Sequence, residues 1–145
     1  MTKIPESAET SSEVKANLCG RYMNICIEHL VKLAIFDSPQ NVNCWREEIY
    51  ASHLQIFKLK KDKKFPNYKH IFNTIWENHY SNILDDIIDT VIKTEPELKF
   101  KLSFMVNEDA ITPIESYIMW LAKQLSTKRK INKQDCFNKF EEVGL

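Results

Sequence analysis

Residues 67–93 read NYKHIFNTIWENHYSNILDDIIDTVIK. Tyr68, Ile71, Phe72, Ile75, His79, Ile83, Ile87 and Val91 recur three or four residues apart, which gathers them on one face of a helix. Glu77, Asn78, Ser81, Asp85 and Asp89 fall elsewhere on its circumference. An isolated helix cannot stabilise an apolar stripe of this length, so other helices must cover it. The expected fold is an all-α, single-domain bundle of five or six helices around this long central helix, about 67–93.

Upstream, residues 1–9 are polar and expected to be a flexible N-terminal segment, with residues 10–145 forming one helical domain. Thr10 and Glu13 make a capping-box pattern, which predicts a helix from there to about Ile35. Its apolar face would carry Val14, Leu18, Tyr22, Ile25, Cys26, His29, Leu30 and Leu33. Gly20 sits mid-helix at a cost of about 1 kcal/mol relative to Ala, which marks either a close crossing or a tolerated glycine. Asp37-Ser38-Pro39-Gln40-Asn41 reads as a turn. A second helix is expected from Asn43 to about Lys61, with Trp45, Ile49, Tyr50, Leu54 and Phe57 inward. The short linker at Pro66 and Asn67 predicts that it pairs with the third helix as an antiparallel hairpin.

Residues 97–106 admit two readings. Leu98, Phe100, Leu102 and Phe104 alternate with polar residues, as in a half-buried strand. Thr94 and Glu97 equally suit a capping box for a short helix, with Pro96 in its first turn. A lone strand has no evident partner in this sequence, so the helical reading is preferred. Thr112-Pro113-Ile114-Glu115 is the clearest helix start in the chain, predicting a helix through Tyr117, Ile118, Leu121 and Leu125 to about Thr127. A final helix is expected from Asn132 to Val143, with Cys136, Phe137 and Phe140 inward.

Composition excludes several classes. At 145 residues, 43% hydrophobic and 28% charged, the chain fits one ordinary globular domain that buries roughly two-thirds of its unfolded surface. The zero formal net charge provides no global field toward nucleic acid or an anionic membrane. Met1–Ser12 has no apolar core, so no signal peptide is expected, and no apolar run approaches the roughly 20 residues that span a bilayer. Cys19, Cys26, Cys44 and Cys136 show no paired short spacing, which favours reduced thiols in a cytoplasmic protein.

Residues that would carry chemistry are few. Lys58, Lys60, Lys61, Lys63, Lys64 and Lys69, with Phe65, Tyr68 and His70, combine cations and stacking rings, as single-stranded nucleic acid favours. Lys128, Arg129, Lys130 and Lys133 form a second basic cluster. The alternative for both is a solvated helix terminus whose cations complement the helix dipole. Asp85, Asp86 and Asp89 lack the partnering histidines of helical metal centres and read as a solvated face. Cys26, His29 and Cys44 are residue types that suit zinc, yet no tight cysteine pair accompanies them, and no metal or cofactor is expected. Arg21 and His29 invite comparison with the arginine-to-histidine motif of helical ribonucleases from bacterial toxin pairs. Seven residues lie between them, where that motif has four to six, which turns the arginine away. With two glycines there is no phosphate-cradling loop and no glycine-flanked serine, so no catalytic residue is assigned.

Trp45, Trp76 and Trp120 are the strongest functional hint. Trp76 follows Ile75, and Trp120 precedes Leu121, so neighbours on the helix cannot all point inward. Tryptophans left at a surface concentrate binding energy, which makes these three the candidate partner-binding residues.

His29-Leu30-Val31-Lys32-Leu33, Trp45-Arg46-Glu47-Glu48-Ile49, and Pro66 followed by a helix bearing Trp76 and Tyr80 resemble a bacterial all-helical family, catalogued as domain of unknown function twenty-nine. The resemblance covers about residues 29–92. It implies a helical fold, and it carries over no activity and no functional residue. A high Lys, Ile and Asn content suits a bacterium or virus with an AT-rich genome.

The function expected is a non-enzymatic protein–protein interaction module, such as an immunity protein, antitoxin, adaptor or chaperone. Its partner would be another protein, with a homodimer as a second arrangement, and no membrane. The alternative is a nucleic-acid-binding helical protein using the lysine clusters.

Overall fold

A computed structural model describes residues 3–59, 68–94, 99–100, 112–128 and 130–145. The fold is all-α. Five helices lie among the described residues: α1 (Lys3–Ile35), α2 (Pro39–Leu59), α3 (Tyr68–Thr94), α4 (Thr112–Thr127) and α5 (Lys133–Val143). β1 (Phe36–Asp37) and β2 (Lys99–Phe100) add a two-residue antiparallel ladder, with Phe36 opposite Phe100 and Asp37 opposite Lys99.

That ladder corrects the helical preference for 97–106 at Lys99 and Phe100. The missing partner for a strand is the chain leaving α1, where the two extended residues Phe36 and Asp37 pair with Phe100 and Lys99. The remainder of that segment, 95–98 and 101–111, lies outside the described residues.

The turn expected at 37–41 is shorter than its composition suggests. Pro39 is already the first residue of α2, four positions before the expected start. Proline lacks an N–H and is preset near helical φ, so it opens helices readily. The Ser38 carbonyl accepts from the Asn41 amide at 3.0 Å, and the Asn41 side chain donates to the Ser38 hydroxyl at 2.6 Å. This is the same serine/threonine–proline grammar that opens α4.

α1 packs against α2, α3 and α4, α2 also meets α5, and α3 also meets α4. The expected α2–α3 hairpin does not form as such, because each has α1 as its principal partner. Being covered on several sides, α1 buries a broad arc: Cys19, Met23, Cys26, Ile27, Leu30, Val31, Leu33, Ala34 and Ile35. Ile25, expected inward, is 38% exposed. In α2 the buried face is Ile49, Ser52, His53, Ile56 and Phe57, whereas Leu54, also expected inward, is 38% exposed. Of the stripe in α3, Phe72 and Ile87 are buried. The side chains of Tyr68, Ile71, Ile75, His79, Ile83 and Val91, like that of Val14, lie outside the description. In α4, Ile114, Tyr117, Ile118, Leu121, Ala122 and Leu125 all face the core, the clearest agreement between pattern and burial.

Gly20 has no heavy atom within 4 Å of where a Cβ would sit, so it marks no close crossing. α5 is bounded at both ends. The Asn132 side chain accepts from the Gln134 amide at 2.7 Å, and Gly144 takes φ 84°. Leu145 N–H then reaches back to the Phe140 carbonyl at 2.8 Å, and Gly144 N–H to that of Glu141 at 3.3 Å. This left-handed closure buries the Leu145 side chain against the bundle.

Candidate functional site

The three tryptophans do not share a surface. Trp45, at the start of α2, leans on Phe36 with ring centroids 6.0 Å apart. Trp76 of α3 donates its indole N–H to Glu115 of α4 at 3.3 Å. Trp120 packs on Tyr117, with centroids 5.4 Å apart. Glu115 and Trp120 are five positions apart, roughly 140° around α4, so Trp76 and Trp120 serve different sides of that helix. All three remain half-buried and pack against the core.

Trp120 stands in a concavity. A cleft of about 220 Å³ runs between α4 and α5, lined by Trp120, Gln124, Lys128, Asp135, Asn138, Lys139 and Glu142. Residues 120, 124 and 128 are successive turns of one face of α4 and its end, which explains how one helix presents all three. Charges of both signs alternate along this cleft, and Lys139 pairs with Glu142 at 3.1 Å. The amides Gln124 and Asn138 each offer a donor and an acceptor. Met119, beside Trp120 in sequence, is 61% exposed.

The lysine clusters meet this picture only in part. Lys58 at the end of α2 is exposed, as are Lys128 and Lys130 after α4. Lys133 pairs with Glu47 and lies 5.6 Å from the Phe137 ring centroid. The second basic cluster is thus interleaved with Asp135, Glu142 and Glu47. Lys60, Lys61, Lys63, Lys64, Lys69 and Arg129 lie outside the described side chains.

No family model, curated protein or solved structure matches this chain. Among the described residues no helix is long and apolar enough to cross a membrane.

Sequence reasoning missed a polar cluster inside the bundle. His53 is fully buried, and its Nε2 meets the Tyr117 hydroxyl at 2.7 Å. Among the described residues its Nδ1 has no hydrogen-bond partner. Ser52 donates to the Ile49 carbonyl at 2.6 Å. Burial lowers the His53 pKa to about 3 and raises that of Tyr117 well above its ordinary value. Burial also lifts the Cys19 and Cys136 thiols to about 12, and raises Cys26 further, against an opposing hydrogen bond from Ser52. These groups hold their neutral forms at neutral pH and are sealed from solvent, which makes them part of the core. The four cysteines are all free, and Cys44 alone is exposed.

Between α1 and α2 lies a second polar group. His29 Nδ1 is 2.8 Å from the Ile25 carbonyl oxygen, and its Nε2 contacts the Glu48 carboxylate. Cys44 Sγ is 3.9 Å from the other Glu48 oxygen. Cys26, the thiol nearest His29 in sequence, is turned into the core.

Proposed function

We propose that this chain is a non-enzymatic protein-binding module that takes a segment of another protein into the α4–α5 cleft over Trp120. The observation that supports this reading is the composition of the cleft. An indole that the core only half covers is ringed by side-chain amides and by charges of both signs. A polypeptide carries apolar side chains, backbone donors and acceptors, and charges of both signs, and so complements each of these groups. A phosphate backbone would meet the carboxylates of Asp135 and Glu142 in the same cleft as Lys128 and Lys139, with Glu142 paired to Lys139, which disfavours the nucleic-acid alternative at this surface. A second copy of the chain is the other polypeptide that would fit. The four free thiols suit a reducing compartment, which supports a cytoplasmic location as part of this reading.

The test is a pull-down with tagged protein from native lysate, at low and moderate salt, with and without nuclease, comparing the wild-type chain with Asn138→Arg. Asn138 is exposed on α5, so the larger side chain blocks the cleft without entering the core. A defined protein retained under all conditions by the wild type and lost by Asn138→Arg is the expected result. Nucleic acid recovered at low salt and lost at moderate salt would transfer the function to Lys58, Lys128 and Lys130. Light scattering on the purified chain distinguishes self-association from a foreign partner.

A further inference from the structure

α4 and the chain leaving it form a basic stretch with an apolar start. From Ser116 to Gln134 the sequence carries Lys123, Lys128, Arg129, Lys130 and Lys133 and no acidic residue. Met119 is 61% exposed, and Lys123, one helical turn further on, is exposed beside it. Trp120 is three positions before Lys123, at the edge of the core, so these three side chains stand together on α4. Among the described residues no carboxylate pairs with Lys123. The acids nearest this face are engaged elsewhere. Glu115 accepts from the Trp76 indole on the side of α3, and Glu142 pairs with Lys139 on α5. Asp135 lies in the first turn of α5, where the helix dipole favours a negative charge.

We propose that the segment bound over Trp120 is acidic, with an apolar side chain that covers Met119 and Trp120 and carboxylates that meet Lys123 and Lys130. This partner chemistry rests on the protein-binding reading above. The match is one of charge and of apolar surface together, and it is the second that selects a polypeptide. A phosphate backbone would meet the lysines and leave Met119 bare. A second copy of the chain fits less well. Its densest carboxylates, Asp85, Asp86 and Asp89 of α3, are exposed beside Asn82 and Thr90, with no exposed apolar side chain among the described residues there to cover Met119. Opposite charges at the rim set which partner is accepted, and the apolar anchor at the centre holds it.

A displayed library of random short peptides, panned on the full chain, tests the partner's chemistry without presupposing its sequence. The wild type should enrich peptides that join Asp or Glu to Leu, Met, Phe or Trp. Lys123→Glu should weaken a selected peptide by roughly tenfold, because like charges now face each other, and when panned afresh should enrich basic peptides instead. Met119→Glu should weaken it at least as much. Both positions are exposed, so neither change enters the core, and circular dichroism confirms that each variant folds. Enrichment of basic or uncharged peptides by the wild type would overturn the proposal, as would no enrichment, or affinity unmoved by both variants. Oligothymidylate bound in place of any peptide, and lost in Lys123→Glu, would assign the face to nucleic acid. A dimer in light scattering that Met119→Glu dissolves would assign it to a second copy; either result overturns the proposal. In the lysate pull-down, a protein lost by Asn138→Arg but retained by both Lys123→Glu and Met119→Glu would keep the protein-binding reading and overturn the acidic partner alone.

Discussion

His53 and Tyr117 join their side chains at 2.7 Å inside the core, across 64 residues of sequence. The pair ties α2 to α4, and the Tyr117 ring continues the contact by stacking on Phe140 of α5, with centroids 4.7 Å apart and planes within 7°. Three helices therefore meet at one tyrosine. Because His53 Nδ1 already lacks a partner, Tyr117→Phe would leave the ring with neither nitrogen bonded. The expected loss is about 1–3 kcal/mol, the desolvation penalty of an unsatisfied buried group. Removing both partners in His53→Leu/Tyr117→Phe should be milder than the sum of the single changes, as a denaturant-melt double-mutant cycle would show.

The same histidine makes stability depend on pH. Burial holds its folded pKa at about 3, against an ordinary 6.5. The unfolded chain takes up a proton there that the folded chain refuses. Its contribution is complete above pH 6.5 and is lost as pH falls from 6.5 toward 3, at about 1.4 kcal/mol per unit. Between pH 7.5 and pH 5 the melting temperature of the wild type should fall more than that of the double variant, which has no imidazole at position 53. Parallel curves would show that His53 protonates as readily folded as unfolded.

Arg46 anchors the end of the chain. Its guanidinium donates to Glu141 at 2.7 Å and to the Leu145 carbonyl at 3.3 Å, and it lies 5.5 Å from the Phe140 ring centroid. Arg46→Ala should cost about 1–2 kcal/mol, more than an exposed ion pair, because the guanidinium is mostly covered while Glu141 alone is exposed. Arg46→Lys should recover little of it, since an ammonium cannot span both acceptors. Thermal melts of the three proteins give the order.

Two nearby apolar positions on α2 should respond very unequally. Ile56 is fully buried and Leu54 is not. Ile56→Ala is expected to cost about 2–5 kcal/mol, and Leu54→Ser to stay within about 0.5 kcal/mol. On α1, Gly20→Ala should stabilise by about 0.5–1 kcal/mol, since the added methyl meets nothing and the unfolded chain loses freedom.

Thiol chemistry should single out Cys44. Cys19, Cys26 and Cys136 are buried with raised pKa values, while Cys44 is exposed. A thiol reagent at pH 8 should modify one cysteine per folded chain quickly and all four after unfolding. Rapid modification of more than one would mean that the core opens locally.

Helix pattern was legible where burial is one-sided. α4 is the clearest case: one stripe of spacing-four residues, one capping start, and a buried face matching both. α1 was harder, because three helices cover it and its buried arc exceeds any single stripe. In α2 a polar pair, Ser52 and His53, occupies the inner face, so apolar periodicity points to Leu54 instead. The cleft at Trp120 was half legible. An indole beside a buried leucine signals a side chain at a boundary, but the opposing Asp135, Asn138, Lys139 and Glu142 come from another helix.

The amino-acid sequence by itself determined the all-helical class and the ends of α3, α4 and α5. Those depend on interactions within a turn or two: spacing, caps, a proline at a helix start and a glycine at a helix end. Only the tertiary structure decided that α1 would be the shared packing partner of α2 and α3, and that Phe36 and Asp37 would pair with Lys99 and Phe100. It likewise brought His53 to Tyr117 and Glu48 to His29. Each of these contacts joins residues far apart in the chain. Its energy is realised only once the intervening helices have packed, so nothing local in either partner announces it.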